Sequence, residues 1–242
     1  MAIEAKGKGA SKTQRSASDA TDTSGSGEST AALESWTAYD IFQRCIERAN
    51  NLIKLHAAAH GKQAKPEKYM SDAHRAAIVL SVSALDAFVR TFVIERVRQT
   101  LADQSAVLPG GLKDKIKNFV KDDDLIEASR RNDLLERVEK AFRSDFEKRS
   151  FQGTKVIAES MKMVGFSDIF HDVAKKAGCN EETLRQNLDR FTERRHEIAH
   201  TGDYDLSNNP PTENIISKKE ARDCIRLMKL IALHIHIIGA GE

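Results

Sequence analysis

The chain is short of several things, and each shortage excludes something. Among its 242 residues only three are cysteine, at 45, 179 and 224, and no two of them form a CxxC pair. That pattern indicates neither a disulfide framework nor a cysteine zinc site, and ordinary reduced thiols in a cytoplasmic protein are expected. Four prolines and 13 glycines are too few for a chain dominated by turns and hairpins. Charge of one sign is also missing. The 38 Lys+Arg and 36 Asp+Glu leave a formal charge of +2, which rules out a histone-like protein coating nucleic acid by charge alone. Any nucleic-acid contact must be local. The N-terminus has no apolar stretch of the secretory kind. The most apolar internal stretch, 76–94, is interrupted by Asp86 and Arg90. A bilayer tolerates such charges badly, so this stretch reads as a buried helix with no membrane partner.

What is present suits a helical protein. Hydrophobic residues make up 40% and charged residues 31%, enough for one sizeable core. Residues 1–35 are rich in Ser, Thr, Gly, Ala and Lys and lack an apolar period. They are expected to be a disordered, low-complexity tail. From Trp36 onward apolar residues recur every three or four positions: Tyr39, Phe42, Cys45, Ile46, Ala49, Leu52 and Ile53. The spacing predicts a helix there, a long one over about 69–104, and others over 112–120 and 124–148. Two shorter helices are expected within 151–178, split near Gly165 with Ser167 as the cap. Asn180-Glu181-Glu182 starts a helix well, with an Asn cap and carboxylates at the positive end of the dipole. That helix runs to about Ala199, and Thr201-Gly202-Asp203 ends it. Ser217 followed by Glu220 makes a capping box for the last helix. No convincing strand signal appears, so the predicted class is all-α, a single domain over 36–238.

The chemistry-bearing stretch is Phe191-Thr192-Glu193-Arg194-Arg195-His196-Glu197-Ile198-Ala199-His200-Thr201-Gly202. One reading takes His196-Glu197-Ile198-Ala199-His200 as HExxH, two zinc-binding imidazoles with Glu197 as general base. Glu220, Glu213 or Asp205 is then the candidate third ligand. The charged flank Glu193-Arg194-Arg195 and the missing sheet fit that reading poorly.

The other reading pairs Arg195 with His200, the Arg being followed at once by a polar residue, His196. This resembles the signature of the HEPN superfamily: Arg, four to six residues, His. A second resemblance lies in 78–90, where Ser83-Ala84-Leu85-Asp86-Ala87-Phe88 is similar to the early core helix of the RiboL-PSP type of HEPN domain. The order also matches, with this helix first, the Arg/His pair later and an apolar helix last. The resemblance covers about 36–238. It implies an all-α HEPN-like bundle in which 105–178 adds helices between the core helices. It also implies a homodimer that brings two motifs to one cleft, RNA as partner, and no cofactor or metal. The implied activity is a metal-independent endoribonuclease, of a kind that serves in toxin–antitoxin or phage-defence systems, with an antitoxin or regulatory protein as a further partner. The rival from another class is a HEPN module that only binds RNA, a nucleotide or a protein; a zinc hydrolase is third.

The residue types suit RNA cleavage by 2′-hydroxyl attack. A guanidinium grips phosphate oxygens in a fork and keeps its charge, which fits Arg195. An imidazole exchanges protons near neutrality, which fits His200. His196, one turn before His200, Asp86 on the core helix, Arg194 and Glu197 are the supporting candidates. Asp86 either pairs with Arg90 within its helix or reaches Arg194, Arg195 or His200. Spacing sets a condition, because five residues rotate about 500°, leaving the two catalytic candidates ~140° apart on a regular helix. Either the helix unwinds near Ala199, the long Arg wraps round, or two chains share the site.

Overall fold

In the computed structural model, residues 36–60, 71–119, 122–131 and 133–241 are described. The expected tail over 1–35 lies outside them. Among the described residues nine helices and one tiny β pair follow in order: α1 (Ala38–His60), α2 (Asp72–Ala102), α3 (Gly110–Phe119), α4 (Asp122–Arg131), α5 (Leu134–Glu147), α6 (Thr154–Met163), α7 (Ile169–Ala177), α8 (Glu181–Thr201), β1 (Tyr204–Asp205), β2 (Thr212–Glu213) and α9 (Lys218–Ala240). The fold is all-α, as expected. The strands are the exception: Tyr204 pairs with Glu213 and Asp205 with Thr212. Two residues per strand are too few to leave an alternating pattern in the sequence.

The central helix is α2, which packs against α1, α5, α6, α8 and α9. It is long and apolar enough to cross a membrane by composition, yet Ile78, Val82, Leu85, Phe88, Val89 and Val93 are wholly buried inside the bundle. Its apolar residues lie all round the helix because other helices cover it on several sides. Rings thread the core. Tyr39 and Phe88 lie 6.3 Å apart, Phe88 and Phe92 5.7 Å, and Phe92 and Phe166 5.9 Å. A second chain runs from Phe142 through Phe146 to Phe151, at 5.6 and 4.7 Å. Gly239 lets α9 come close to α2, since a Cβ there would meet Phe92 at 2.5 Å.

Side-chain caps set the starts of α7, α8 and α9. Asn180 accepts a hydrogen bond from the Thr183 amide at 2.8 Å, the predicted cap of α8. Ser217 Oγ accepts from the Glu220 amide at 3.0 Å at the start of α9. At α7 the cap is Asp168, which accepts from His171 N, one residue beyond the Ser167 expected. The stretch 124–148 holds two helices rather than one. Before α5, Asp133 binds the Arg137 guanidinium through both carboxylate oxygens at 2.9 Å. No Gly or Pro marks that break; Asn132-Asp133, two of the poorer helix formers, stand at it, and the apolar period on either side masks that weak signal. Between α2 and α8 the chain therefore forms five helices, α3 to α7, where added helices were expected. Cys45, Cys179 and Cys224 are all free.

Candidate functional site

The Arg/His stretch occupies the last turns of α8. This helix packs against α2, α6, α7 and α9. Leu184, Leu188 and Phe191 are buried, and the same 4,3 spacing continues to Arg195 and Ile198, both half-buried. Arg195 therefore stands at the open end of the inward-facing stripe. Its Nε is buried without a hydrogen-bond partner. His196 and His200 are exposed on a neighbouring face, with ring centroids 4.2 Å apart. The helix does not unwind at Ala199; it continues to Thr201, whose hydroxyl donates to Glu197 O at 2.8 Å. Of the three ways to unite Arg195 with His200, the first is thereby removed. Within one chain the two side chains leave the helix in different directions.

Behind this end lies a buried ionic cluster that sequence reasoning missed. Gly202 caps α8 in a left-handed conformation at φ 63°. Asp203 follows, also left-handed at φ 69°. The Asp203 side chain is completely buried. A buried carboxylate must be compensated, and two arginines do so. Arg75, from the first turn of α2, donates through Nε to Asp203 Oδ2 at 2.6 Å. Arg194 grips both carboxylate oxygens in a fork: Nη1 meets Oδ1, and Nη2 meets Oδ2 at 2.9 Å. The remaining donors are also used. Arg75 reaches Ser71 Oγ at 2.6 Å, Asn214 O at 2.8 Å and Glu213 Oε1 at 2.9 Å. Arg194 reaches Glu197 Oε2 at 3.1 Å and Glu220 Oε1 at 3.4 Å. Burial alone would lower the Arg194 guanidinium's affinity for its proton; the hydrogen bonds it donates to Asp203 and Glu197 outweigh this and hold its pKa above the ordinary value. The cluster ties the start of α2, the end of α8, the β pair and the start of α9 to one carboxylate.

The supporting candidates separate accordingly. Arg194 and Glu197 belong to this anchor rather than to an open cleft. Asp86 takes the intrahelical option: Oδ2 accepts from Arg90 at 3.1 Å, and Oδ1 accepts from the Phe151 amide. It fastens the 149–152 connection to α2, and Arg90 also donates to Arg149 O at 3.1 Å. Asp86 does not reach Arg194, Arg195 or His200. The HExxH reading loses its general base, because Glu197 is engaged by Arg194. Its third-ligand candidates are engaged too. Glu220 faces Arg194, Glu213 faces Arg75, and Asp205 accepts from Ser207 and Asn208 at 2.6 and 2.9 Å. Arg75 and Asp203 carried little local signal: an arginine in the first turn of α2 and an aspartate after a glycine. Their pairing spans 128 positions.

Among the described residues Arg195, His196 and His200 have no hydrogen-bond or ion-pair partner, which leaves a guanidinium and two imidazoles open on one helix end. The model of the RiboL-PSP-HEPN family matches residues 43–238, a span that includes the core helix α2, the Arg195–His200 motif and most of α9. The chain belongs to this family. No curated protein and no solved structure shows significant similarity to it. Within the matched span, Arg195 and His200 lie at the C-terminal end of α8, with α2 packed against that helix.

Proposed function

We propose that this HEPN domain is a metal-independent endoribonuclease that works as a two-fold homodimer. The observation that carries the reading is the contrast between two adjacent arginines. Arg194 is saturated by Asp203, Glu197 and Glu220. Arg195 has no carboxylate partner among the described residues, and its Nε is left without any acceptor. A guanidinium kept unpaired beside two exposed imidazoles suits a phosphate. An isologous interface at this helix end brings two copies of the motif together and removes the 140° problem, because one chain's arginine can then serve beside the other's histidine.

The chemistry follows. The 2′-oxygen of a ribose attacks the adjoining phosphorus, so a P–O2′ bond forms and the P–O5′ bond breaks. An imidazole accepts the 2′-hydroxyl proton, and an imidazolium supplies a proton to the departing 5′-oxygen. Arg195 stabilises the charge gathering on the pentacoordinate phosphate. The products are a 2′,3′-cyclic phosphate and a 5′-hydroxyl. DNA lacks the attacking hydroxyl and is not cut.

The test is incubation of the purified full chain with total RNA, with and without EDTA, beside Arg195→Ala and His200→Ala. Cutting that resists EDTA and is abolished by both substitutions is the expected result. EDTA-sensitive hydrolysis with bound zinc would favour the hydrolase instead. A well-folded dimer that binds RNA, a nucleotide or a protein through the same residues without cutting RNA would make the domain a binding module.

A further inference from the structure

The His196-Glu197-Ile198-Ala199-His200 stretch has a capacity that RNA cleavage does not use. We propose that His196 and His200 form a two-imidazole clip for a divalent transition-metal ion of the zinc class, and that an ion held there withdraws His200 from proton transfer. The binding half stands on geometry alone; the inhibitory half rests on the nuclease reading above.

The two residues are four apart on a helix, so they project from one face a turn apart. Their ring centroids lie 4.2 Å apart with the planes tilted by 43°. Two imidazole nitrogens bound to one tetrahedral ion sit about 3.3 Å from each other, with metal–nitrogen bonds of about 2.0–2.1 Å. With each ring centroid roughly 1 Å behind its nitrogen, that places the two centroids about 5 Å apart, so the rings need only swing outward by about 1 Å to hold the ion. Both imidazoles are exposed on the single chain, so an ion reaches them without disturbing the chain's own packing. The backbone beneath them is fixed. It is regular helix to Thr201, and the Asp203 cluster anchors it from behind. A clip on a fixed backbone loses little entropy when it closes.

The donor set points to the metal class. Neutral imidazole suits zinc, copper and nickel, whereas magnesium and calcium take oxygen ligands. The nearby carboxylates of Glu197 and Glu220 are held by Arg194. Two protein ligands leave the other positions of the ion to water, which makes an exchangeable ion rather than a structural one. Proton transfer at His200 needs a ring nitrogen lone pair, and coordination occupies it. The ion is therefore a brake on a reaction that needs no metal, the opposite of the role HExxH has in a zinc hydrolase.

The experiment titrates zinc chloride into the full chain at neutral pH and follows the histidine ring resonances by NMR. The signals of His196 and His200 are expected to move together, and the remaining imidazoles to stay. His196→Ala and His200→Ala should each weaken zinc binding at least about tenfold, because a lost ligand costs no less than a lost ligand-orienting partner. His171→Ala, at another exposed histidine near Glu181, should bind zinc as the parent does. In the RNA assay, zinc should suppress cleavage and EDTA should restore it. If the two signals stay fixed, or a His196→Ala/His200→Ala double variant binds zinc as well as the parent, the clip is overturned. If zinc binds but leaves the cleavage rate unchanged, the brake is overturned and the clip stands. If the parent cuts no RNA under any condition, the nuclease reading and the brake fall, and the ring resonances still decide the clip.

Discussion

The α8 helix begins and ends in different ways. Its first turn is held by Asn180, which accepts from an amide three residues later. Its last turn is held by Asp203, which binds Arg194 nine residues back and Arg75 128 residues back. The first device is local, partly exposed and uses one hydrogen bond. The second is buried, ionic and joins four elements. The active-site candidates stand over the second end. A helix terminus that must present side chains at fixed angles gains from an anchor that cannot fray, and a single exposed cap does not provide one.

The largest expected effect comes from breaking the buried end. Asp203→Asn keeps the shape and tolerates the left-handed backbone, but it removes the one fully buried carboxylate that Arg75 and Arg194 share and leaves them only their more exposed partners. Removing one member of a buried ionic cluster costs about 3–5 kcal/mol. Urea denaturation should show that loss, and amide exchange should speed up at Thr201, Gly202 and Asn214. A loss below about 1 kcal/mol would mean that solvent reaches the cluster and that the two ends are alike after all.

The next effect separates anchoring from chemistry. His200→Ala removes an exposed side chain, so stability should change by no more than about 0.5 kcal/mol. Under the nuclease reading, RNA cleavage should fall by roughly 10²–10⁴, the usual contribution of a positioned proton-transfer group. Measuring the urea midpoint and the cleavage rate on the same preparation checks both. A large stability loss would move His200 from the active face to the anchor.

The contrast between the ends also explains what the sequence could and could not reveal. Signals confined to a few neighbouring residues were legible: the Asn180 cap, the Ser217 cap, the long apolar run of α2, and the break near Gly165, which has φ 103°. The Arg195–His200 pair was legible for the same reason. The 140° problem it posed was also visible, and the regular helix to Thr201 leaves it standing for one chain. Signals that exist only after folding were not legible. Arg75 looks like any polar residue in a first helical turn until Asp203 is brought to it. Asp86 had Arg90 within its helix and Arg194, Arg195 and His200 beyond it as candidate partners; the fold gives it Arg90 and adds the Phe151 amide, which nothing near Asp86 announces. The division of α4 from α5 falls at Asn132-Asp133, two poor helix formers but a weaker signal than the Gly or Pro that would have marked it plainly.

A third effect tests the ground beside the anchor. His74 precedes Arg75 and is 5% exposed. Its ring lies 4.1 Å from that of His56 on α1. Burial lowers its pKa to about 4, helped by His56, by Lys218 and Arg222 on α9, and by Arg75 itself. The folded state thus binds this proton less readily than the unfolded chain. Stability is fully present above about 6.5 and is lost as pH falls toward 4, by about 3 kcal/mol. Many carboxylates titrate in the same window, so the quantity to measure is the difference between the parent and His74→Gln. Parallel stability curves from pH 7 to 4 would show that His74 is hydrated and that the clustered cations do not act on it.

The smallest effect sharpens the comparison from the other side. Asn180→Ala removes the cap that begins α8, and loss of such a cap costs about 1 kcal/mol. The cost should stay local. Amides of the first turn should exchange faster, while those at Thr201 and Gly202 keep their protection, because the far end is fastened to α2 independently. Combined with Asp203→Asn, the two losses should add, since the sites lie at opposite ends of a 21-residue helix and share no partner. A double variant that loses markedly more than the sum would show that the two ends support one another and that α8 folds against the bundle as one cooperative unit.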